Sequence, residues 1–123
     1  MFEAAMTEQL PLALVSDRRT TALIFVTTRP DLFRNDFLEW LSENYHIWVA
    51  FEVEANKVWE SGRKHYSSRT IVEYLRHQTL VREASGVFKI NDHAIPDLAR
   101  LWQLHYPKRE GFFEFRQCVR RAA

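Results

Sequence analysis

Apolar side chains in this chain repeat mostly at helical spacing, and this pattern restricts the fold more than any other feature of the sequence. Phe37 and Leu41 fall on one helical face, and similar repeats run over residues 46–61, 68–82 and 94–106. Across 123 residues there are only three glycines and four prolines, which is too few for the many turns of a β-sandwich or barrel. The sequence therefore predicts a mainly α fold.

Residues with known preferences for helix ends flank these repeats. Pro30 suits a first helical turn and Asn44 suits a helix end, while Gly62 directly follows the second repeat. Ser67 and Ser68 are residues that cap a helix start, here that of the third repeat. We therefore expect four helices between residue 30 and residue 106.

Two further segments have the short, β-rich pattern of strands. Residues 86–90 and residues 112–117 are predicted to pair as a small sheet beside the helices. The resulting order of elements is compatible with a helix-turn-helix or winged-helix-like variant in which residues 94–106 form the recognition helix. The connection between the third and fourth helices is longer than the turn of a standard motif. The predicted fold class is thus mainly α with a small β element.

The N-terminal segment differs from the rest of the chain. Within residues 1–29, residues 21–26 are predicted to form either a short strand or an apolar segment packed on a helical core. Residues 30–119 are predicted to form a single compact helical domain. Residues 120–123 are expected to be a frayed tail.

Charge is distributed unevenly between the two halves of the chain. Residues 1–62 hold five Lys/Arg and ten Asp/Glu, a net charge of −5, whereas residues 63–123 hold twelve and six, a net charge of +6. The formal total of +1 therefore conceals a dipolar protein. Because Lys and Arg neutralise phosphates, the basic half suggests a polyanionic partner such as nucleic acid.

We expect the basic half to contact double-stranded DNA, as in a small regulatory or replication-associated protein. The predicted contact residues are Arg69, Arg76, Lys89, Asn91, His93, Arg100 and Arg116, within a wider basic surface that includes Arg63, Lys64, Lys108 and Arg109. Arg and Lys would hold phosphates, and Asn91, His93 and Arg100 would lie closest to base edges. The alternative is an ordinary solvated surface whose charges pair within the fold.

Several short segments of the basic half form a specific pattern. Residues 62–69 are Gly-Arg-Lys-His-Tyr-Ser-Ser-Arg, and later segments include Phe-Lys-Ile-Asn at 88–91 and Gly-Phe-Phe-Glu-Phe-Arg at 111–116. Over residues 62–116 the chain resembles a family of short uncharacterised proteins of bacteria and their phages. This resemblance implies a phage or prophage setting and a compact helical domain, and it implies no catalytic activity.

The segment 9–14, Gln-Leu-Pro-Leu-Ala-Leu, resembles the peptides with which bacterial replication proteins dock on the sliding clamp. Gln9 would make polar contacts at the rim of an apolar pocket that Leu10, Leu12 and Leu14 fill. Equally, the segment is compatible with packing on the protein's own core. The alternative function is therefore a non-enzymatic inhibitor or adaptor of a nucleic-acid machine, such as a CRISPR effector, a polymerase or the sliding clamp.

The sequence contains no recognisable metal or catalytic motif. His65, His77, His93 and His105 lie 12, 16 and 12 residues apart, and there is no His-Glu-x-x-His and no pair of cysteines. We therefore predict a non-enzymatic protein without metal or cofactor.

Cysteine content and hydropathy indicate a compartment. Cys118 is the single cysteine, so an internal disulfide is excluded and a reducing environment is favoured. No apolar run approaches the roughly 20 residues that a membrane span needs, and no signal-peptide pattern is present. We expect a cytoplasmic protein without membrane contact, and its oligomeric state is left open.

Aromatic residues divide into predicted core and predicted surface. The tryptophans lie within helical periodicities and are expected in the core; they are Trp40, Trp48, Trp59 and Trp102. Phe112 and Tyr66 are the better candidates for exposed stacking on bases.

Overall fold

The computed structural model describes residues 17–86 and 89–115 of the chain. Five α-helices hold most of these residues, and no strand occurs within the two ranges. The elements are, in chain order, α1 (17–28), a 3-10 turn (Pro30–Leu32), α2 (Phe37–Glu43), α3 (Tyr45–Glu60), α4 (Ser68–Gln78), α5 (Ala94–His105) and a second 3-10 turn (Pro107–Arg109). The predicted mainly α fold is confirmed.

Residues 21–26 lie within α1, so the alternative of a short strand is wrong. Ala22 and Val26 are buried in the common core, one helical turn apart, whereas Ile24 between them is 52% exposed. The Thr27 and Thr28 hydroxyls donate to carbonyls one turn back and help to close the helix. Helical spacing of the buried residues therefore outweighs the β-rich composition of this segment.

The third predicted helix ends earlier than expected, at Gln78 rather than at Arg82. Thr79 adopts an extended conformation, with φ −133° and ψ 176°. Its hydroxyl donates to the Leu75 carbonyl and accepts the backbone N–H of Val81. This side chain therefore replaces backbone hydrogen bonds that a longer helix would need.

The first predicted helix is divided into a 3-10 turn and α2. Phe33 is extended after the turn, and its ring stacks on Phe37 at 5.3 Å between ring centroids. The backbone N–H of Arg34 donates to the Asp97 carboxylate on α5. Contacts with other parts of the core thus interrupt a helix that local pattern alone predicted as continuous.

The predicted sheet includes residues 87, 88, 116 and 117, which lie outside the described residues. In the described part, Lys89 and Ile90 form a bend, and Phe113 makes an isolated parallel bridge with Tyr66. The small β element and the winged-helix form are therefore not shown.

α5 is the central helix and not an exposed recognition helix. Seven of its twelve residues are buried, and in the described structure Pro96 is its only exposed residue. A recognition helix needs an exposed polar face to enter a DNA groove. Burial of α5 therefore does not favour residues 94–106 as a recognition helix, and the structure does not show that assignment.

Trp102 on α5 lies at the centre of an aromatic core. Its ring centroid is 5.1 Å from that of Phe112, 5.0 Å from that of Phe113 and 6.5 Å from that of Trp59. Phe112 is only 1% exposed, so its predicted role in exposed stacking is wrong. Tyr66, which stacks on Phe112, keeps partial exposure.

A side-chain network links α3 to this core through Asn56. The Asn56 carbonyl oxygen accepts the indole N–H of Trp102 at 3.0 Å and a guanidinium N–H of Arg109 at 2.9 Å. The Asn56 amide nitrogen donates to the Tyr106 hydroxyl at 3.0 Å, and that hydroxyl donates to Glu52 at 2.7 Å. Polar groups from three elements therefore satisfy one another at the edge of the core.

Replacing Asn56 by alanine is expected to destabilise the fold by about 1–3 kcal/mol, because the Trp102 indole N–H loses its acceptor in a buried site. Urea unfolding followed by circular dichroism and tryptophan fluorescence measures this change. Asn35→Ala, at an exposed turn position, is the matched control and should cost less than about 0.5 kcal/mol. Equal losses in the two variants would contradict a central role for Asn56.

Candidate nucleic-acid interface

A groove of about 1100 Å³ opens where the starts of α4 and α5 meet the segment 111–115. A second groove of about 740 Å³ lies on the other side of the α5 start and shares Asp92, His93, Pro96 and Arg100 with the first. The first groove is lined by His65, Tyr66, Ser67, Ser68, Arg69, Asp92, His93, Ile95, Pro96, Ala99, Arg100, Gly111, Phe112, Phe113, Glu114 and Phe115. The two grooves therefore meet along the N-terminal part of α5.

The predicted contact residues are only partly brought together at this groove. Arg69, His93 and Arg100 line it, whereas the three other described residues, Arg76, Lys89 and Asn91, are absent from its lining. Arg116 lies outside the described residues.

Arg76 is directed inward and makes structural contacts. Its side chain is 15% exposed and one guanidinium nitrogen lies 3.0 Å from a Glu73 carboxylate oxygen. The other terminal nitrogen donates to the Ile90 carbonyl at 2.5 Å and to the Asp92 carboxylate. The hydrogen bond from Arg76, together with its charge, holds the pKa of Asp92 below its usual value. Arg76 is therefore engaged in holding the 89–92 loop on α4.

Lys89 and Asn91 also have structural partners. The Lys89 ammonium donates to the Arg76 carbonyl at 3.2 Å. The Asn91 side-chain oxygen accepts the backbone N–H of His93 at 2.9 Å, while the Asn91 backbone N–H donates to the buried carboxylate of Glu83. These bonds shape the turn that leads into α5, a common use of asparagine.

Arg100 separates the two grooves and contacts residues on both sides. Its side chain is 14% exposed, and its guanidinium lies 3.5 Å from an Asp97 carboxylate oxygen and 5.5 Å from the Phe115 ring centroid. His93, at the α5 N-cap position, is exposed in both grooves. Of the predicted base-contacting residues, His93 is thus the most accessible.

Asp97 is a buried carboxylate beneath Arg100. It is 1% exposed, and one of its oxygens makes no hydrogen bond within the described part of the chain, despite the nearby guanidinium. Burial raises the pKa of Asp97 to about 6, although the Arg34 backbone N–H and the charges of Arg100 and Arg34 act in the opposite direction. Desolvation therefore dominates over the ion pair at this position.

Hydrogen bonds join the segments 63–69 and 107–112, most of whose basic residues the sequence predicted only as part of a wider basic surface. The His65 ring donates to the Gly111 carbonyl at 3.0 Å, and the Tyr66 backbone N–H donates to the Phe112 carbonyl at 2.9 Å. Both segments carry exposed cations. Five exposed basic residues of the two segments form a surface that we call the basic ridge: Arg63, Lys64, His65, Arg69 and Lys108.

Four of these residues lie outside the contact set predicted from the sequence, although Arg63, Lys64 and Lys108 belong to the wider basic surface. Their run of basic residues before a helix start was the available signal. Arg109, in contrast, is withdrawn from the surface: its guanidinium lies 4.3 Å from the Tyr106 ring centroid and 5.0 Å from that of Trp59. Sequence alone does not show that Lys108 is exposed while the Arg109 guanidinium packs on aromatic rings.

Residues 17–86 and 89–115 contain no cluster of three His, Cys, Asp or Glu side chains suited to a metal ion. In the same part of the chain, none of the helices has the length and hydropathy needed to cross a membrane. The proposed docking peptide, with Gln9, Leu10, Leu12 and Leu14, lies outside the described residues. The inhibitor or adaptor function that rests on it stays a prediction.

The raised pKa of Asp97 predicts an unusual dependence of the protein's stability on pH. Because the pKa of Asp97 rises from 3.8 to about 6 on folding, its contribution to the free energy of unfolding is most favourable below about pH 4. This contribution is lost as the pH rises through 6. Asp97→Asn should therefore increase the free energy of unfolding by about 1–3 kcal/mol at pH 8, with the gain shrinking towards pH 4.

Urea unfolding at several pH values measures this difference. Glu110→Gln, which removes one exposed negative charge, is the control for a general charge effect. A gain for Asp97→Asn that is the same at pH 4 and pH 8 would contradict the role of Asp97 titration.

Comparisons with known proteins leave this interface without a template, because no protein-family model, no curated protein and no solved structure matches the chain. The resemblance to bacterial and phage proteins over residues 62–116 accordingly stays a prediction. Function is therefore inferred from the geometry and chemistry of the interface itself.

Proposed function

We propose that this protein binds nucleic acid through the basic ridge, with double-stranded DNA as its main partner, and that it acts without catalysis. The observation that carries this proposal is the contact between the segments 63–69 and 107–112. Hydrogen bonds from His65 to Gly111 and from Tyr66 to Phe112 hold the two segments side by side. We therefore expect cations that are distant in sequence to contact one partner together.

Exposed cations of this kind suit the phosphates of a nucleic-acid backbone. Arg63, Lys64, Arg69 and Lys108 neutralise phosphates and release counterions, so affinity falls as salt rises. Exposed Glu110 lies on the same segment as Lys108 and limits the net positive charge. We therefore expect micromolar, strongly salt-dependent binding rather than tight binding.

The residues proposed here to contact DNA differ from those predicted from the sequence. Arg69 and His93 remain as contacts, while Arg76, Lys89 and Asn91 have structural roles in the proposal. Arg100 is paired with Asp97 and lines both grooves. Arg116 stays a predicted contact. Of the helix-turn-helix or winged-helix-like form, the proposal keeps only the order of the helices. DNA contacts the basic ridge rather than α5.

The biological setting is also part of the proposal. A phage or prophage origin rests on the resemblance over residues 62–116, and a cytoplasmic location rests on the single cysteine. A regulatory or replication-associated role follows from DNA binding in such a setting.

The double charge reversal Arg63→Glu with Lys64→Glu is expected to lower affinity for duplex DNA by at least about tenfold at low salt. Each lost phosphate contact should reduce the slope of log affinity against log salt by about 0.9, hence about two for the pair. Fluorescence anisotropy with a labelled duplex across a salt series measures both quantities.

Arg18→Glu with Arg29→Glu is the matched control, because it reverses two exposed charges at the ends of α1 and changes the net charge equally. Its affinity should remain within about twofold of the unmodified protein at physiological salt, where distant charges are screened. Equal losses in the two double variants, or no binding by the unmodified protein at low salt, would contradict the proposal.

A further inference from the structure

The groove at the start of α5 adjoins the basic ridge. His65 and Arg69 belong to the ridge and also line the groove, so the two surfaces are continuous. Beyond them the groove contains His93, Arg100 and Phe115. A backbone that follows the ridge is therefore led directly to the mouth of the groove.

Two arginine–aromatic pairs lie at the groove: Arg100 with Phe115 on its wall, and Tyr66 of the wall with Arg63 of the basic ridge. The Arg63 guanidinium lies 5.1 Å from the Tyr66 ring centroid, and the Arg100 guanidinium lies 5.5 Å from that of Phe115. Tyr66 and Phe115 both line the groove, and Phe115 is 38% exposed. Aromatic faces and guanidinium planes are the surfaces on which unstacked bases bind.

Charges within the groove are compatible with a phosphate. Its lining has two acidic residues, and one of them, Asp92, is hydrogen-bonded to Arg76 and lies 3.8 Å from Arg69. Glu114 is the other, and it is exposed. Of the two arginines in the lining, Arg69 is paired with Asp92 and Arg100 with Asp97, and the His93 ring has an N–H that can donate a hydrogen bond.

The size of the groove distinguishes between paired and unpaired strands. A volume of about 1100 Å³ lies near the upper limit of pockets that take small ligands. A duplex of several base pairs is larger than this volume, and the Arg100 side chain inside the groove is only 14% exposed. An unpaired nucleotide, in contrast, presents both its phosphate and its base face.

We infer that this groove binds a short unpaired stretch of nucleic acid that continues from the duplex on the basic ridge. This inference rests on the proposed function and specifies its substrate: a junction between paired and unpaired strands. The unpaired base stacks beside Phe115 and Tyr66, and its phosphate lies near Arg69. Because the geometry recognises a base face and a phosphate, both DNA and RNA overhangs carry the required chemistry.

Binding to a blunt DNA hairpin, whose strands are joined by a non-nucleotide linker so that it has no unpaired base, is to be compared with binding to the same hairpin carrying an overhang of about six nucleotides. This length is within the usual site size of single-strand binders. The overhang is made of thymidine at the 5′ end, of thymidine at the 3′ end, or of uridine. Fluorescence anisotropy with the full chain measures each affinity. At least one overhang should increase affinity by about 5- to 100-fold over the blunt hairpin.

Phe115→Ala should remove most of this preference and leave affinity for the blunt hairpin unchanged. Phe115→Leu keeps an apolar side chain without an aromatic face, so it tests stacking even where the alanine variant folds poorly. Tyr74→Ala is the matched control, because Tyr74 is 43% exposed and lies outside both grooves. Its overhang preference should match that of the unmodified protein.

The outcomes separate this inference from the proposed function. Equal affinities for blunt and overhang hairpins, or a preference that survives both Phe115 variants, would overturn the inference and leave duplex binding intact. Failure to bind any hairpin at low salt would overturn both. A preference that is lost in the Phe115 variants and kept in Tyr74→Ala supports it, and the deoxy and ribo arms then identify the strand.

Discussion

The side-chain amide of Asn56 joins α3 to Trp102 of α5 and to Arg109 in the turn that follows α5. Trp102 is completely buried, so its indole N–H needs an internal acceptor. Arg109 meanwhile keeps its guanidinium against the rings of Tyr106 and Trp59. One amide therefore satisfies a buried donor and holds the chain after α5 against the core. The position of the segment 107–115 depends on this interaction.

The candidate interface is built on that anchored segment. Phe112 and Phe113 are buried in the core, and their neighbour Gly111 accepts a hydrogen bond from His65. Tyr66 donates to the Phe112 carbonyl and forms a bridge with Phe113. Aromatic packing inside the protein therefore determines where the exposed cations of the ridge lie outside it. Loss of the core contacts would displace the ridge and the groove wall together.

Arginines in this protein divide between structural and exposed positions. Arg76 is bound to Glu73 and to the loop that carries Ile90 and Asp92. Arg100 lies over Asp97, whose pKa is raised to about 6 by burial. The basic half thus pairs part of its positive charge with its own acidic residues. What remains for a polyanionic partner is smaller and more localised than the net charge of this half indicates.

Sequence by itself determined that the chain is mainly helical, because apolar spacing around Phe37, Trp48 and Leu98 requires one buried face on each of these helices. It also located the basic half, since charge is a property of composition. Only the tertiary structure decided that α5 is central and that Arg76 and Arg109 are engaged internally while Arg63 stays exposed. The partners of Arg76 and Arg109 lie up to 16 and 53 residues away, and local patterns carry no information on such contacts. Whether a side chain is free to bind a partner depends on its neighbours in space, and only folding brings these neighbours together.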